Sequence, residues 1–202
     1  MNKNSLKDSN KGKFYLSQGM SQQHIPTNDC GPTSVAMIIN MIRAQSGIRD
    51  IKVTKKEAAS FFPLFGRLPK WIPKTGGASA PWGLVKAFNY FAHKDRIPWE
   101  ARRVCHADPA LISKTLQENG FVSILRFWEN GGAHWSNVVF FDPRIGVIHL
   151  LDPSPYLARL PVAEKIQIED WNNMKQDWER QPSWAKYLGL KREIIIYQST
   201  EK

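Results

Sequence analysis

The second half of the chain contains three runs of β-branched and aromatic residues separated by turn residues. These runs are FVSILRFW, HWSNVVFF and IGVIHLL, and the turn sequence DPRIG joins the last two. Such residues favour strands, whereas Asp, Pro and Gly favour turns, so the pattern predicts three antiparallel strands of which the last two form a hairpin. The later run EIIIY predicts a closing strand. A sheet of this kind has to bury a face against another layer.

The first half has the periodicity of helices. After residue 30, apolar side chains recur on one stripe of a helix that ends near Ser46 and Gly47. The same periodicity predicts helices over 55–62, 81–92 and 109–118 and a late helix whose core face carries Trp171, Met174 and Trp178. Helices that precede antiparallel strands indicate an α+β fold.

Length and composition indicate one ordered domain. The chain has 202 residues, of which 42% are hydrophobic, and it contains eight tryptophans. Domains of this length are usual, and so many apolar residues exclude general disorder. Residues 1–13 carry lysines with almost nothing apolar, which predicts a flexible basic tail. Residues 14–202 are then expected to form a single domain.

The net charge of +10 suggests an acidic partner. Nucleic acid is disfavoured, because no basic stretch is interleaved with aromatic residues as a stacking platform would be. An acidic protein partner or inhibitor explains the charge equally well.

The sequence has no long apolar segment and few cysteines. Its apolar runs are too short to span a bilayer, and the N-terminus lacks the apolar core of a secretory signal. We therefore expect a cytoplasmic protein, or one delivered into the cytosol of a target cell without a cleavable signal peptide. Two cysteines without the spacing of a zinc site predict neither a disulfide framework nor a metal, and no cofactor is expected.

Cys30, in the sequence DCGPTS, is a candidate nucleophile. A cysteine at the start of a helix faces unpaired backbone N–H groups and the positive end of the helix dipole, which favour thiolate. More commonly, however, a cysteine is a small buried residue of the core and has no catalytic role. Position alone leaves both readings open, so the choice depends on a histidine and an acid that could pair with the thiol.

The predicted hairpin supplies such a pair. If residues 142–146 form the turn, Phe141 pairs with Val147 and Ser136 pairs with Asp152. His134 lies two residues before Ser136, hence on the same face of its strand, which makes Asp152 its diagonal neighbour.

Other candidates fit less well. His149 falls on the opposite strand face from Asp152, and Asp142 is assigned to the turn. Cys105 has His106 beside it, but adjacent side chains on an extended strand point apart.

Two segments resemble the papain-like cysteine peptidases, and among them the bacteriocin-processing peptidases that cut leader peptides after a double glycine. They are DCGPTSVAMIIN and GGAHWSNVVFFDPRIGVIHLLDPSP, and TGGASAPWGLVKAFNYF is similar to the loop and helix between them in that group. The resemblance covers Gln22 to Pro155. It implies a papain-like fold in which N-terminal helices, with the nucleophile at a helix start, pack on a C-terminal antiparallel sheet.

The resemblance also implies roles for individual residues. Cys30 would be the nucleophile, His134 the general base and acid, and Asp152, 18 residues later, the acid that orients the imidazole. A glutamine would stabilise the oxyanion; His24 occupies its usual place, so Gln23 is the first choice and Gln22 the second. We expect Trp135 and Trp82 to wall a narrow substrate cleft.

The function implied is hydrolysis of peptide bonds in a protein substrate, after Gly-Gly, through a thioester. Such peptidases are commonly fused to a membrane exporter, whereas the apolar runs of this sequence are too short to span a bilayer. The expectation here is therefore a freestanding, toxin-like effector that an acidic immunity protein neutralises. One alternative is a glutamine deamidase or transglutaminase-like modifier, since the same triad supports both. Another is a non-catalytic peptide-binding module, against which the joint presence of Cys30, His134 and Asp152 argues.

Overall fold

The computed structural model describes residues 10–18, 29–48, 52–62 and 79–201, and it has the predicted α+β class. Its strands are β1 Trp99–Val104, β2 Phe121–Phe127, β3 Ala133–Asp142, β4 Val147–Leu151, β5 Ile166–Asp170 and β6 Ile194–Ser199. They form one antiparallel sheet in the order β1-β6-β2-β3-β4-β5. Its α-helices are α1 Cys30–Gln45, α2 Lys55–Ser60, α3 Pro81–Lys94, α4 Pro109–Gln117, α5 Trp171–Glu179 and α6 Ser183–Tyr187.

Each face of the sheet has its own apolar core. On one face α1 and α3 pack against the sheet, with Trp135 among the buried residues. On the other face α4 and α5 cover it, and the predicted core residues Trp171, Met174 and Trp178 are all buried there. The sheet therefore lies between two helical layers, which explains why β2 is buried along its whole length.

The observed helices agree with the predicted ones to within a few residues, but β1, β5 and α6 were not predicted. The predicted end of the basic tail at Lys13 falls inside a 3-10 helix, Asn10–Phe14, in which Lys11 Nζ donates to the Val139 carbonyl at 2.9 Å. Within the described parts of the chain, no helix is both long and apolar enough to cross a membrane.

A β-bulge sets the register of the β3–β4 hairpin. The predicted pairing of Phe141 with Val147 is wrong by one residue, because Asp142 pairs with Val147. The register then shifts between Val138 and Phe140, so that Asn137 pairs with Leu151 as predicted. The extra residue in β3 thus cancels the offset at the turn, and the ends of the two strands meet in the expected alignment.

Candidate active site

Cys30 is the first residue of α1 and is buried, with 4% of its surface exposed. Asp29 precedes it, and the Asp29 carbonyl accepts hydrogen bonds from the Thr33 N–H at 2.9 Å and the Thr33 hydroxyl at 2.6 Å. Pro32, which has no N–H to leave unpaired, lies in the first turn. The sulfur therefore lies where the first backbone N–H groups and the helix dipole favour a negative charge.

His134, near the start of β3, connects Cys30 to Asp152. Its Nε2–H donates to both Asp152 carboxylate oxygens, at 3.0 Å to Oδ1 and 2.8 Å to Oδ2. The other ring nitrogen, Nδ1, is not used by Asp152, and the Cys30 side chain is a second group that acts on the ring. Burial lowers the pKa of His134, but the Asp152 carboxylate and Cys30 outweigh burial and raise the pKa to about 9. The ring is therefore an imidazolium at neutral pH.

Asp152 follows directly after β4 and accepts several further hydrogen bonds. Its Oδ2 accepts from Ser136 Oγ at 2.5 Å and from Arg126 Nη2 at 3.0 Å, and its Oδ1 accepts from the Ser154 N–H at 2.8 Å. Burial raises the pKa of Asp152, but the charges of His134 and Arg126 and these hydrogen bonds hold it well below its usual range. The carboxylate stays ionised and supports the imidazolium.

Two residues without a predicted role, Arg126 and Ser136, bond to Asp152, and a third, Glu169, bonds to Arg126. Arg126 lies on β2 directly opposite His134 and is 6% exposed. Its Nη2 also donates to Ser136 Oγ at 3.1 Å, and its Nη1 donates to Glu169 Oε2 at 2.9 Å. The arginine inside the apolar run FVSILRFW was the available signal, because a charged side chain in a buried strand needs partners.

A chain of hydrogen bonds joins α1 to the sheet behind the site. Tyr197 and Asn137 both bond to Ser123 Oγ, which donates to Asn137 Oδ1 at 2.6 Å and lies 3.0 Å from the Tyr197 hydroxyl. Asn137 Nδ2 donates to the Ser34 carbonyl at 3.0 Å, and Ser34 Oγ donates to the Trp135 carbonyl at 3.2 Å. These bonds fix the helix that begins with Cys30 against the strand that carries His134.

Three tryptophans relevant to the predicted cleft differ in exposure. Trp135 has no exposed surface and donates from Nε1 to the Ser79 carbonyl at 2.8 Å, so it anchors Ser79 to β3 and does not form the predicted cleft wall. Trp82, in the first turn of α3, is 40% exposed and lies with its ring centroid 6.0 Å from the Arg103 guanidinium of β1, so its role as a cleft wall stays a prediction. Trp128 was not predicted; it is also 40% exposed, and its ring stacks on His134 with centroids 5.1 Å apart.

Three further candidates, Asp142, His149 and Cys105, lie within the described residues. Gln23, Gln22 and His24 are outside the described residues, so the oxyanion glutamine stays a prediction. Asp142 accepts from the Arg144 N–H at 3.0 Å, as expected of a turn residue. The ring of His149 packs on Phe140 with centroids 4.8 Å apart, and Cys105 is exposed in a bend after β1.

Comparison with known proteins agrees with this fold. No protein-family model and no curated protein matches the chain. The peptidase domain of Streptococcus ComA, a bifunctional ABC transporter involved in quorum sensing, matches with a TM-score of 0.52 and 14% identity over 92% of this chain and 98% of that one. A C39-like peptidase from Bacillus anthracis matches with a TM-score of 0.55 and 14% identity over 95% and 97%. The chain therefore has the papain-like fold of C39-like peptidase domains.

Proposed function

We propose that the chain is a cysteine peptidase that cleaves a protein substrate with Cys30, His134 and Asp152 as its triad. The observation that carries this proposal is the position of His134, whose Nε2 bonds to Asp152 while the Cys30 side chain also acts on the ring and raises its pKa. A nucleophile, a base and an orienting acid in this arrangement are what acyl transfer requires. The fold shared with C39-like peptidases supports the same class of reaction.

In the first half of the proposed reaction, the Cys30 thiolate attacks the carbonyl carbon of the scissile bond and its electron pair forms a C–S bond. The carbonyl electrons move onto oxygen, and the resulting oxyanion accepts from the Cys30 backbone N–H and the Gln23 side chain. When the oxyanion collapses, the C–N bond breaks. His134 then gives its Nδ1 proton to the leaving amine, which departs and leaves a thioester.

Water completes the cycle. Neutral His134 takes a proton from water while the water oxygen attacks the thioester carbonyl. The second tetrahedral intermediate collapses with cleavage of the C–S bond, which releases the carboxylic acid product and regenerates the Cys30 thiolate beside the His134 imidazolium. Asp152 holds the ring in place throughout and stays ionised, because its pKa is far below neutral.

The substrate we propose is a peptide with glycines before the scissile bond. The resemblance to double-glycine peptidases supports this, and so does Trp128, whose ring lies over His134 and takes up space beside the reacting atoms. Trp82 is proposed as the second wall.

Mass spectrometry of paired peptides tests this function. Peptides that differ only in Gly-Gly or Leu-Leu before the bond are incubated with wild-type protein and with Cys30→Ser. Cleavage of the Gly-Gly peptide by wild type alone supports the proposal, whereas equal cleavage of both peptides contradicts the glycine preference. Conversion of a glutamine side chain to glutamate, with an intact backbone, would identify a deamidase, and peptide binding without any mass change would identify a binding module.

We also propose that an acidic inhibitor or immunity protein binds the chain, and that the chain acts as an effector in a reducing cytosol. The net charge of +10 supports an acidic partner. Both cysteines, Cys30 and Cys105, are free thiols, which suits a reducing compartment. Growth arrest on cytosolic expression of wild type, relieved by Cys30→Ser, is the expected outcome, and equal toxicity of the two would contradict the effector role.

A further inference from the structure

We propose that Arg126 is a positioning residue of this site, which holds the Asp152 carboxylate in the orientation that bonds His134, and that Glu169 in turn holds Arg126. The inference rests on the proposed function, because it assigns a role within the same triad. It extends the site from three residues to five: Cys30 at the start of α1, and four residues on or next to the neighbouring strands β2 to β5.

The geometry around one oxygen atom suggests this role. Asp152 Oδ2 lies 2.8 Å from His134 Nε2 and 3.0 Å from Arg126 Nη2. The same Nη2 donates to Ser136 Oγ, which donates to Oδ2. Because Asp152 follows the last residue of β4, the strand ladder does not fix it, and its orientation depends on its donors: the Ser154 N–H at Oδ1 and the side-chain donors at Oδ2.

The charges explain why Glu169 belongs to the arrangement. The side chains of Arg126 and Asp152 are both buried, at 7% and 4% exposed. If Asp152 were the only carboxylate near the Arg126 guanidinium, Arg126 and His134 would compete for it. Glu169 removes this competition, because it accepts from Arg126 Nη1 with both oxygens, at 2.9 and 3.2 Å. The charge of Glu169 then balances the charge of Arg126, and the charge of Asp152 remains available to stabilise the His134 imidazolium.

A positioning role and a purely electrostatic role predict opposite results. If Arg126 acted only as a positive charge, its removal would raise the pKa of His134, because a cation next to the imidazolium would be lost. If Arg126 holds Asp152 in place, its removal lets the carboxylate turn away. Burial and the loss of the carboxylate then both lower the pKa of His134.

The test is the NMR titration of His134 in protein labelled with nitrogen-15 histidine, with the resonance assigned by His134→Gln. We expect the His134 titration midpoint to fall in Arg126→Met, and also in Arg126→Lys, which keeps the charge but not the fork of donors. Glu169→Gln, at a side chain 30% exposed, should produce a smaller fall. A rise or no change in these variants would overturn the proposal. If Arg126→Met does not fold, Arg126→Lys decides the question, because it keeps the positive charge and a purely electrostatic role then predicts no change.

Two controls keep the outcome specific. Arg43→Met removes another buried arginine, whose Nε lies 2.8 Å from Asp95 Oδ2 near the far end of α1, and it should leave the His134 titration unchanged. The rate at which iodoacetamide alkylates Cys30 should fall with the His134 midpoint in the Arg126 variants. If His134→Gln leaves the alkylation rate of Cys30 unchanged, the proposed function itself is contradicted. If the rate falls in His134→Gln but not in the Arg126 variants, only the positioning role is contradicted.

Discussion

Asn137 on β3 and Ser34 on α1 are joined by a hydrogen bond of 3.0 Å from Asn137 Nδ2 to the Ser34 carbonyl. Asn137 lies three residues after His134, and Ser34 lies four residues after Cys30. This buried contact therefore fixes the distance between the two elements that carry the proposed nucleophile and base. Rigid support of this kind is what catalytic geometry requires.

Asn137→Leu should destabilise the protein and slow the alkylation of Cys30. The change removes both the acceptor of the Ser123 hydroxyl and the donor to the Ser34 carbonyl, which costs about 1–3 kcal/mol of unfolding free energy. Asn40→Leu is a matched control, because Asn40 on the same helix bonds to the Val53 backbone at 2.9 and 2.8 Å, away from β3. Urea unfolding should show similar losses for both variants. Equal alkylation rates in the two would contradict a specific role for Asn137.

The stability that His134 contributes should decrease as the pH rises. Its pKa is raised from 6.5 to about 9 in the folded protein, so this contribution is complete below pH 6.5 and is lost as the pH rises through 9. Urea unfolding of wild type and His134→Gln over this range measures the difference in free energy. We expect the advantage of wild type to be largest near pH 6, and a difference independent of pH would contradict the raised pKa.

Gly31→Ala should disturb the site from the nucleophile side. A Cβ on Gly31 would lie 2.4 Å from Ser79 Cβ and 2.7 Å from Ser79 Oγ, so Ser79 has to move. Overpacking of this kind costs roughly 1–3 kcal/mol. Since Ser79 Oγ and Cβ make the clash, Ser79→Gly should remove most of the cost in the double variant. Free energies that simply add in this double-mutant cycle would argue against the contact.

Gln23→Ala should lower kcat about 10²–10³-fold if Gln23 donates to the oxyanion, because one lost donor has an effect of that size. Gln22→Ala is the matched neighbour and should retain activity near wild type. Steady-state cleavage of a Gly-Gly peptide measures both. The reverse order would assign the role to Gln22, and two active variants would exclude a glutamine from this role.

Much of the fold could be predicted from the sequence because buried elements have clear periodicity. Elements with mixed exposure could not. The strands WEARRV and IQIED lie at the two edges of the sheet, where charged side chains interrupt the apolar alternation, and α6 has only five residues. The bulge near Val139 had no signal in the sequence either.

The alternation of side chains along strands accounts for both the correct and the incorrect parts of the predicted site. It placed Asp152 next to His134, and the structure shows that hydrogen bond. The same alternation directs Trp135, the next residue, into the opposite core, so that its assignment to the cleft was inconsistent with the pattern. Arg126 carried a signal, as a charged residue in an apolar run, but its partner Glu169 could not be identified because it lies on an edge strand that was not predicted.

The most direct test of the triad is the rate of alkylation of Cys30 and Cys105 by iodoacetamide near pH 6, in wild type and His134→Ala, followed by peptide mass spectrometry. Cys105 is exposed and Cys30 is buried, so accessibility alone favours Cys105. We predict that Cys30 reacts faster and that His134→Ala abolishes this advantage, because the imidazolium supports the reactive sulfur. Slower labelling of Cys30 than of Cys105, unaffected by His134→Ala, would contradict the triad.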